Sequence, residues 1–528
     1  MNTEQTPKAS DVLIVGAGPT GLALALFLTR MGVRVRIIDK TAEPGTTSRA
    51  LVLHARTLEF YDQLGLADGC VEGGTKFNAV NLWVNGRHAA RAPFDDLGDP
   101  FSRFSFILVY PQDKQERMLV AALEKLGVTV ERRTELVSFE QLDAGVSAQI
   151  KTADGATESC RAAYIAGCDG AHSKVREQLR TGLPGGDYAE LFYGADIEGK
   201  GAALNGEVHI AIDDADCLAV FAMKESGTAR LIGALRRDPA KTAELQWSDV
   251  NTRVIDHLKL DVAKVNWFST YRVHHRVAGS FRQGSAFLLG DAAHLHSPVG
   301  GQGMNTGIGD AVNLAWKLAA VIQNRIDPAV LDTYQSERIA FAQRLVATTD
   351  RAFAFVTARG PIAKRVRLTV APLVIPLIFH FRAIRRFLFR TISQIGIRYP
   401  DSWLSAGHAG AVRGGDRLPW AQWVDGGATR RDNYEFFSSL DWQLHCYGEP
   451  SDAVRATCAS RGLTLHAFAW RPEMNQAGLH RNAIYLVRPD EYVGFADAGG
   501  DAGALVRYLD QHHIATLHAY VDHRLPLE

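Results

Sequence analysis

The sequence predicts an α/β chain with more than one domain, on three observations. The apolar run "DVLIV" at 11–15 leads into Gly16-Ala17-Gly18-Pro19-Thr20-Gly21 and then into the helical stretch "LALALFLTRMG". A second strand-like run, "VRVRIID", ends in Asp39, eighteen residues after Gly21. The 528 residues exceed what one ordinary core accommodates.

The first of these elements reads as a βαβ unit. A short apolar run suits a buried parallel strand, and Gly32 closes the helix. A GxGxxG turn alone says little. Between a strand and a helix, with an acid ahead, it reads as a Rossmann-like dinucleotide site. In that reading Gly16 makes the tight turn, Gly18 admits a pyrophosphate and Gly21 lets helix and sheet pack closely. The helix that starts at Pro19 offers free N–H groups, from Thr20 onward, to phosphates. Asp39 then accepts hydrogen bonds from a ribose, with Lys40 beside it. The alternative is a glycine turn in such a sheet without a ligand.

Further along, "FSFILVY" reads as a strand before the amphipathic helix "PQDKQERMLVAALEKLG". "AAYIAGCDGAHSKVREQLR" runs from strand through turn to helix. From about 185 to 280 the pattern changes to short alternating segments, "EVHIAI", "CLAVFAM" and "ARLIGAL", which predict antiparallel strands inserted into the first domain. Residues 286–319 return to strand, loop and helix, and a longer helix follows from 327. Residues 351–400 hold ten Lys or Arg and no Asp or Glu, around "LTVAPLVIPLIF". From about 440 a compact β/α pattern suggests a last domain of thioredoxin type, without the CxxC of disulfide chemistry.

Composition excludes several classes. Lys plus Arg equals Asp plus Glu at 58 each, so overall charge gives no reason to expect a nucleic-acid partner. The six cysteines lack zinc or disulfide spacing, which suits a reduced, cytoplasmic setting and no metal site. The N-terminal "MNTEQTPKAS" lacks an apolar signal region, and no run of eighteen apolar residues predicts a membrane span.

Three motifs occur in order: "GAGPTG" at 16–21, "CDGAHSKVR" at 168–176 and "GDAAHLHSPVGGQGMN" at 290–305. Together they resemble the single-component FAD-dependent aromatic hydroxylases, the class A flavoprotein monooxygenases. The resemblance is to the branch of phenol, hydroxyphenylpropionate and polyketide hydroxylases, and it covers nearly the whole chain. It implies a Rossmann-like FAD-binding domain in two parts, 1–184 and 281–358, with an inserted antiparallel-sheet substrate domain at 185–280. A basic helical connector at 359–405 and a thioredoxin-like domain at 406–528 complete the expected architecture.

The resemblance also implies roles for matching residues. Asp39 would hold the adenosine ribose, Arg49 would reach the pyrophosphate and Gln112 would lie near the ribityl chain. Asp169 and Arg176 would serve FAD and NAD(P)H, and Asp291 the ribityl hydroxyls. Pro298, Gly301 and Gly303 would form the loop beside the flavin ring. The helix starting near Met304 would aim its N–H groups at the N1–C2=O edge, with Asn305 adding a side-chain contact. The implied reaction is hydroxylation of a phenolic or other aromatic substrate by O2 and NAD(P)H, NADPH favoured, through a flavin C4a-hydroperoxide. A homodimer is also implied.

No residue reads unambiguously as the catalytic base. Relatives place an acid near "LHARTLE", where this chain has Leu53-His54-Ala55. His54 substitutes for that acid or starts a helix, the second reading being preferred. Arg276, in "HHR", is a further candidate for touching substrate or nicotinamide. His294 and His296 lack a third metal ligand and read as a hydrogen-bonded loop. Tyr193 and Phe221 either line the pocket or fill the sheet core. Alternative functions are oxygenation of a larger polyketide-like or drug-like aromatic, with epoxidation or Baeyer–Villiger insertion included, and a non-catalytic flavin-binding redox sensor. The basic stretch 351–400 reads mainly as a connector and secondarily as a membrane-surface contact.

Overall fold

The computed structural model describes residues 9–45, 50–94, 101–213, 217–235, 245–357, 365–425 and 429–515. They form a mixed α/β fold whose residues divide into two units, 1–312 with 338–396, and 313–337 with 397–528.

The first unit contains a sheet whose centre is parallel. Ala9–Val15 lies between Thr157–Gly167 and Val35–Asp39, and Ala286–Leu288 pairs with the far side of Thr157–Gly167. These strands are apolar because helices or further chain cover both faces; Val12, Leu13, Ile14, Ile165 and Leu288 have no exposed surface. The register aligns Val15 with Gly167 and Gly167 with Leu288. The three glycine-containing motifs therefore leave the sheet at the same edge, the carboxyl end of neighbouring parallel strands. In open α/β sheets that edge is where ligands bind.

A second sheet of eight strands is largely antiparallel. Its centre is formed by two long strands, Gly185–Gly201 and Leu260–Val277, followed by Thr228–Leu235, Cys217–Ala222 and Val208–Ile212. The expected segments near 208, 217 and 228 are present. Two further strands join from earlier in the chain, Ala79–Val84 and Arg87–Pro93. They turn at Asn85-Gly86, both at positive φ (48° and 72°), as a type I′ hairpin requires. Tyr193 is buried in the sheet core against Trp247 and Phe268. Phe221 contacts Phe77. At the opposite edge His294–Leu295 pairs with Arg276–Val277, which fastens this sheet to the third motif.

The second unit has a six-stranded mixed sheet. Gln443–Tyr447 pairs parallel with Thr464–Phe468 and antiparallel with Ile484–Val487, which continues antiparallel to Val493–Asp497. The helices Asp452–Arg461 and Ala502–Gln511 are capped by Ser451 and Asp501 side chains. Inside this unit Glu337 is fully buried. It accepts from Arg488 Nη1 (2.7 Å), Lys317 Nζ (2.8 Å), Asn313 Nδ2 (2.6 Å) and Ser402 Oγ (2.6 Å). Burial raises the Glu337 carboxyl, and the charges of Arg488 and Lys317 more than reverse this, leaving it well below the carboxylate range. Asp490 on Arg488 completes a neutral set of two acids and two bases. Such a set is tolerable in a dry interior only when every member is paired.

Candidate active site

The glycine turn at the end of Ala9–Val15 has the geometry its spacing suggests. Gly16 sits at φ +103°, and a Cβ there would lie 2.3 Å from Cys168 O, so the first and second motifs touch through backbone alone. A Cβ on Gly21 would fall 1.9 Å from Gly16 O. Gly18 is the opposite case. Its φ is −78°, nothing among the described residues beyond its chain neighbours lies within 4 Å of a Cβ built on it, and as N-cap of Pro19–Arg30 it supplies no capping side chain. The first turn of that helix thus presents N–H groups and a positive dipole end beside open space, a cradle that fits a phosphate.

Asp39 closes the turn from the next strand. Its carboxylate accepts from Ala17 N (2.6 Å) and from Thr41 N and Oγ1 (2.8 and 2.6 Å). Lys40 is exposed beside it. Gln112 begins the helix Gln112–Lys125 and donates to Glu116 (2.7 Å), which also accepts from Gly45 N (3.0 Å). Burial lifts the Glu116 carboxyl above its ordinary range. Arg49 lies outside the described residues.

The second motif is built around a helix start. Asp169 accepts from Ser173 Oγ (2.5 Å), Lys174 N (2.6 Å) and Val175 N (3.2 Å), and so holds the first turn of Lys174–Leu179. Burial raises its carboxyl against these hydrogen bonds. Arg176 then reaches across, donating to Ala171 O (2.7 Å) and to Ala292 O in the third motif (2.9 Å). Asp291 is exposed at the end of Ala286–Leu288. Thr20 on the first helix packs against Gly290 and Gly307, where a Cβ would come within 2.7 and 2.3 Å of its hydroxyl. All three motifs meet within one unit.

The loop from Pro298 to Gly303 is fastened from beneath. Gly300 and Gly301 have φ of 78° and 62°, so the chain turns through conformations that other residues resist. Asn305 is fully buried and uses all four of its side-chain hydrogen-bonding positions. It accepts from His54 N (2.9 Å) and Thr57 Oγ1 (2.7 Å) and donates to Val52 O and Gly301 O (2.9 Å each). Its side chain therefore orders the loop, where sequence reasoning assigned it a flavin contact. His54 is the N-cap of Ala55–Gln63, and its Nε2 donates to Gly300 O (2.8 Å). Burial pushes its pKa down to about 4, so the ring is neutral at physiological pH. It is a packed helix-start residue that holds the loop.

The loop helix Gly303–Ile322 begins where this loop ends, with Met304 half-buried in its first turn. Among the described residues, a Cβ on Gly303 would touch His296, whose Nε2 would be 3.7 Å away. His296 Nδ1 donates to Ser297 O (2.8 Å), and Nε2 has no partner among the described residues. Burial takes His296 down to about 4 as well. Arg276 is half-buried and pairs with Asp187 (2.5 Å), which also meets His274.

Sequence reasoning missed Asp310. Buried in the loop helix, it accepts from Gly290 N (3.0 Å) and Arg338 Nε (2.6 Å) and contacts His294 Nε2 (2.7 Å). Burial raises its carboxyl, and Arg338 and His294 outweigh that to leave it lowered. The signal was present: Asp310 is the lone acid in "GMNTGIGDAVNLAWKLAAVI".

Residues 9–349 match the family model described as FAD binding domain. The chain belongs to the family of FAD-dependent monooxygenases. The sequence is 35% identical to the 6-methylpretetramide 4-monooxygenase of Streptomyces rimosus, over 76% of this chain and 72% of that protein. It is 32% identical to the pentachlorophenol 4-monooxygenase of Sphingobium chlorophenolicum, over 78% and 76% respectively. Among solved structures, the anhydrotetracycline hydroxylase from Streptomyces rimosus superposes with a TM-score of 0.77 at 28% identity, covering 96% of this chain and all of that one. This monooxygenase thus has the cofactor that its three motifs imply.

Proposed function

We propose that this monooxygenase hydroxylates a phenolic ring of a polycyclic, polyketide-like aromatic, using O2 and NAD(P)H with NADPH favoured. The observation that carries this reading is the convergence of three motifs on one sheet edge, with an open cradle at Gly18 and a fastened loop at 298–303. The 35% identity to a monooxygenase named for 6-methylpretetramide supports the larger substrate over a simple phenol.

Bound FAD supplies electron transfer from the nicotinamide to O2 and delivery of one oxygen atom to the ring. The chain's own residues bind and orient. Gly18 and the helix start at Pro19 and Thr20 take the pyrophosphate, while Gly16 and Gly21 bring the second motif and the helix close. Asp39 and Lys40 serve the adenosine end, Arg49 the pyrophosphate, and Gln112 and Asp291 the ribityl chain. Asp169 shapes the helix from which Arg176 ties two motifs together. Pro298, Gly301 and Gly303 bring backbone against the ring, and the positive end of the loop helix at Met304 and Asn305 favours negative charge on the edge it faces. His54 keeps that loop in place. His296, neutral and with an Nε2 that has no partner among the described residues, is the group we assign to accept a hydrogen bond from the substrate hydroxyl. Arg276 flanks the loop and holds Asp187.

The antiparallel sheet is the substrate domain inserted between the two parts of the FAD-binding domain, and the C-terminal sheet is a thioredoxin-like scaffold. The chain's six free thiols suit a reducing cytoplasm, and a homodimer is the expected assembly.

Turnover with isotopically labelled O2 tests the reading. The product of an accepted polycyclic phenol carries one labelled oxygen on an intact ring, read by mass and NMR. NADPH consumption that yields only labelled peroxide or water contradicts it.

A further inference from the structure

The basic stretch after the long helix carries an apolar stripe that the oxygenation chemistry does not use. The helix Ala371–His380 rests on the antiparallel sheet. Leu368, Ile375 and Phe379 pack against Leu82, Val84 and Ala90. The stripe faces solvent. Leu373 is 73% exposed and Leu377 63%, four residues apart on one helical face, with Val370 (45%) just before the helix and Phe381 (55%) just after it. The following helix, Arg382–Ile392, adds Phe387 at 68% exposure. Isolated exposed apolar side chains are ordinary; a row of them marks an interaction surface.

Charge identifies the partner. Residues 351–400 hold ten Lys or Arg and no Asp or Glu in a chain whose acids and bases balance overall; of the ten, Arg385 is buried on Pro93 O and Arg398 pairs with Asp416, which leaves Arg365 and Arg382 as charges of this face. Arg365 and Arg382, at either end of the apolar helix, are exposed. Arg386 lies 4.6 Å over the Phe101 ring. A two-fold pairing of this face with a second copy would set arginines against arginines. An anionic surface accepts both features, since phosphate headgroups meet the arginines and the acyl boundary takes the leucines and phenylalanines.

We propose that this face docks on an anionic membrane surface, with Ala371–His380 lying in the plane of the interface. Ten residues of helix span about 15 Å, half the hydrocarbon thickness, and no helix of the described residues is long and apolar enough to cross. The inner side stays on the sheet and only the outer stripe enters lipid.

The test sediments the flavin-loaded full chain with vesicles of phosphatidylcholine alone, or of phosphatidylcholine and phosphatidylglycerol in equal parts. Leu373→Asp with Leu377→Asp, and Arg365→Gln with Arg382→Gln, alter only exposed side chains, and unchanged melting temperatures verify the fold. The expected result is pelleting with the anionic vesicles, weakened by salt, and a fall of about tenfold or more in partitioning for each pair. Three results overturn the proposal. The protein stays in solution with both vesicles, or the leucine pair leaves binding unchanged, or vesicles are ignored while the leucine pair abolishes a concentration-dependent dimer. No turnover is read, so the outcome is independent of the oxygenation reading.

Discussion

Gly18→Val yields a folded protein that no longer retains flavin. Gly18 has φ −78° and ψ −178°, a conformation open to any residue, and a Cβ there meets no atom within 4 Å among the described residues beyond its chain neighbours. The new side chain therefore costs the apoprotein little, within about 1 kcal/mol. It projects into the space beside the helix start that a pyrophosphate needs to approach. Loss of that approach weakens FAD by at least about a hundredfold, about 2.7 kcal/mol. Gly21→Ala is the contrasting substitution. Its Cβ would lie 1.9 Å from Gly16 O, so the turn itself must deform and the apoprotein loses stability too. Flavin titration by fluorescence, alongside melting of both apoproteins, separates the two. Full flavin affinity in Gly18→Val contradicts the placement of the cradle.

Asp310→Asn destabilises the first unit by about 3–5 kcal/mol, the cost of leaving a buried charge without its partner. Arg338 is 2% exposed and gives its Nε to this carboxylate, while its Nη2 donates to Thr306 O (3.1 Å). The neutral amide cannot balance that guanidinium. The effect reaches the site because the same carboxylate holds Gly290 N and His294, one before and one after Asp291. Urea unfolding gives the stability change. In a double-mutant cycle, Asp310→Leu with Arg338→Met costs less than the sum of the single changes, because no unpaired charge remains. Additive costs contradict a coupled pair.

The parts of this fold legible in the sequence are those in which one local stretch carries the reason for its own shape. The 16–21 turn and the loop 298–303 are of this kind because each needs glycine at fixed spacing, and the strand ending at Asp39 because its apolar run is buried. The strands Gly185–Gly201 and Leu260–Val277 were not legible at their full length. Most of Leu260–Val277 is half-buried rather than alternating between buried and exposed, so the two-residue period is blurred. The hairpin 79–93 has its Asn85-Gly86 signal, yet its parallel pairing with Val208–Ile212 joins segments far apart in sequence. Asp310 shows the same limit at the site. Its partners at 290, 294 and 338 meet only after folding, and sequence shows just a solitary acid in an apolar helix. Asn305 lies in a motif legible in the sequence, while its hydrogen bonds depend on Val52, His54 and Thr57, brought there by a separate strand and helix.

The central claim is that this fastened loop and open cradle hold a flavin that a nicotinamide reduces when an aromatic substrate is present. Anaerobic stopped-flow reduction of the purified yellow protein tests it most directly, with NADPH and NADH, each with and without a panel of phenols and polycyclic aromatics. The account predicts reduction by NADPH, accelerated at least about tenfold by one polycyclic phenol. Bound flavin that neither nucleotide reduces, with any aromatic of the panel, would contradict it and leave a flavin-binding sensor in its place.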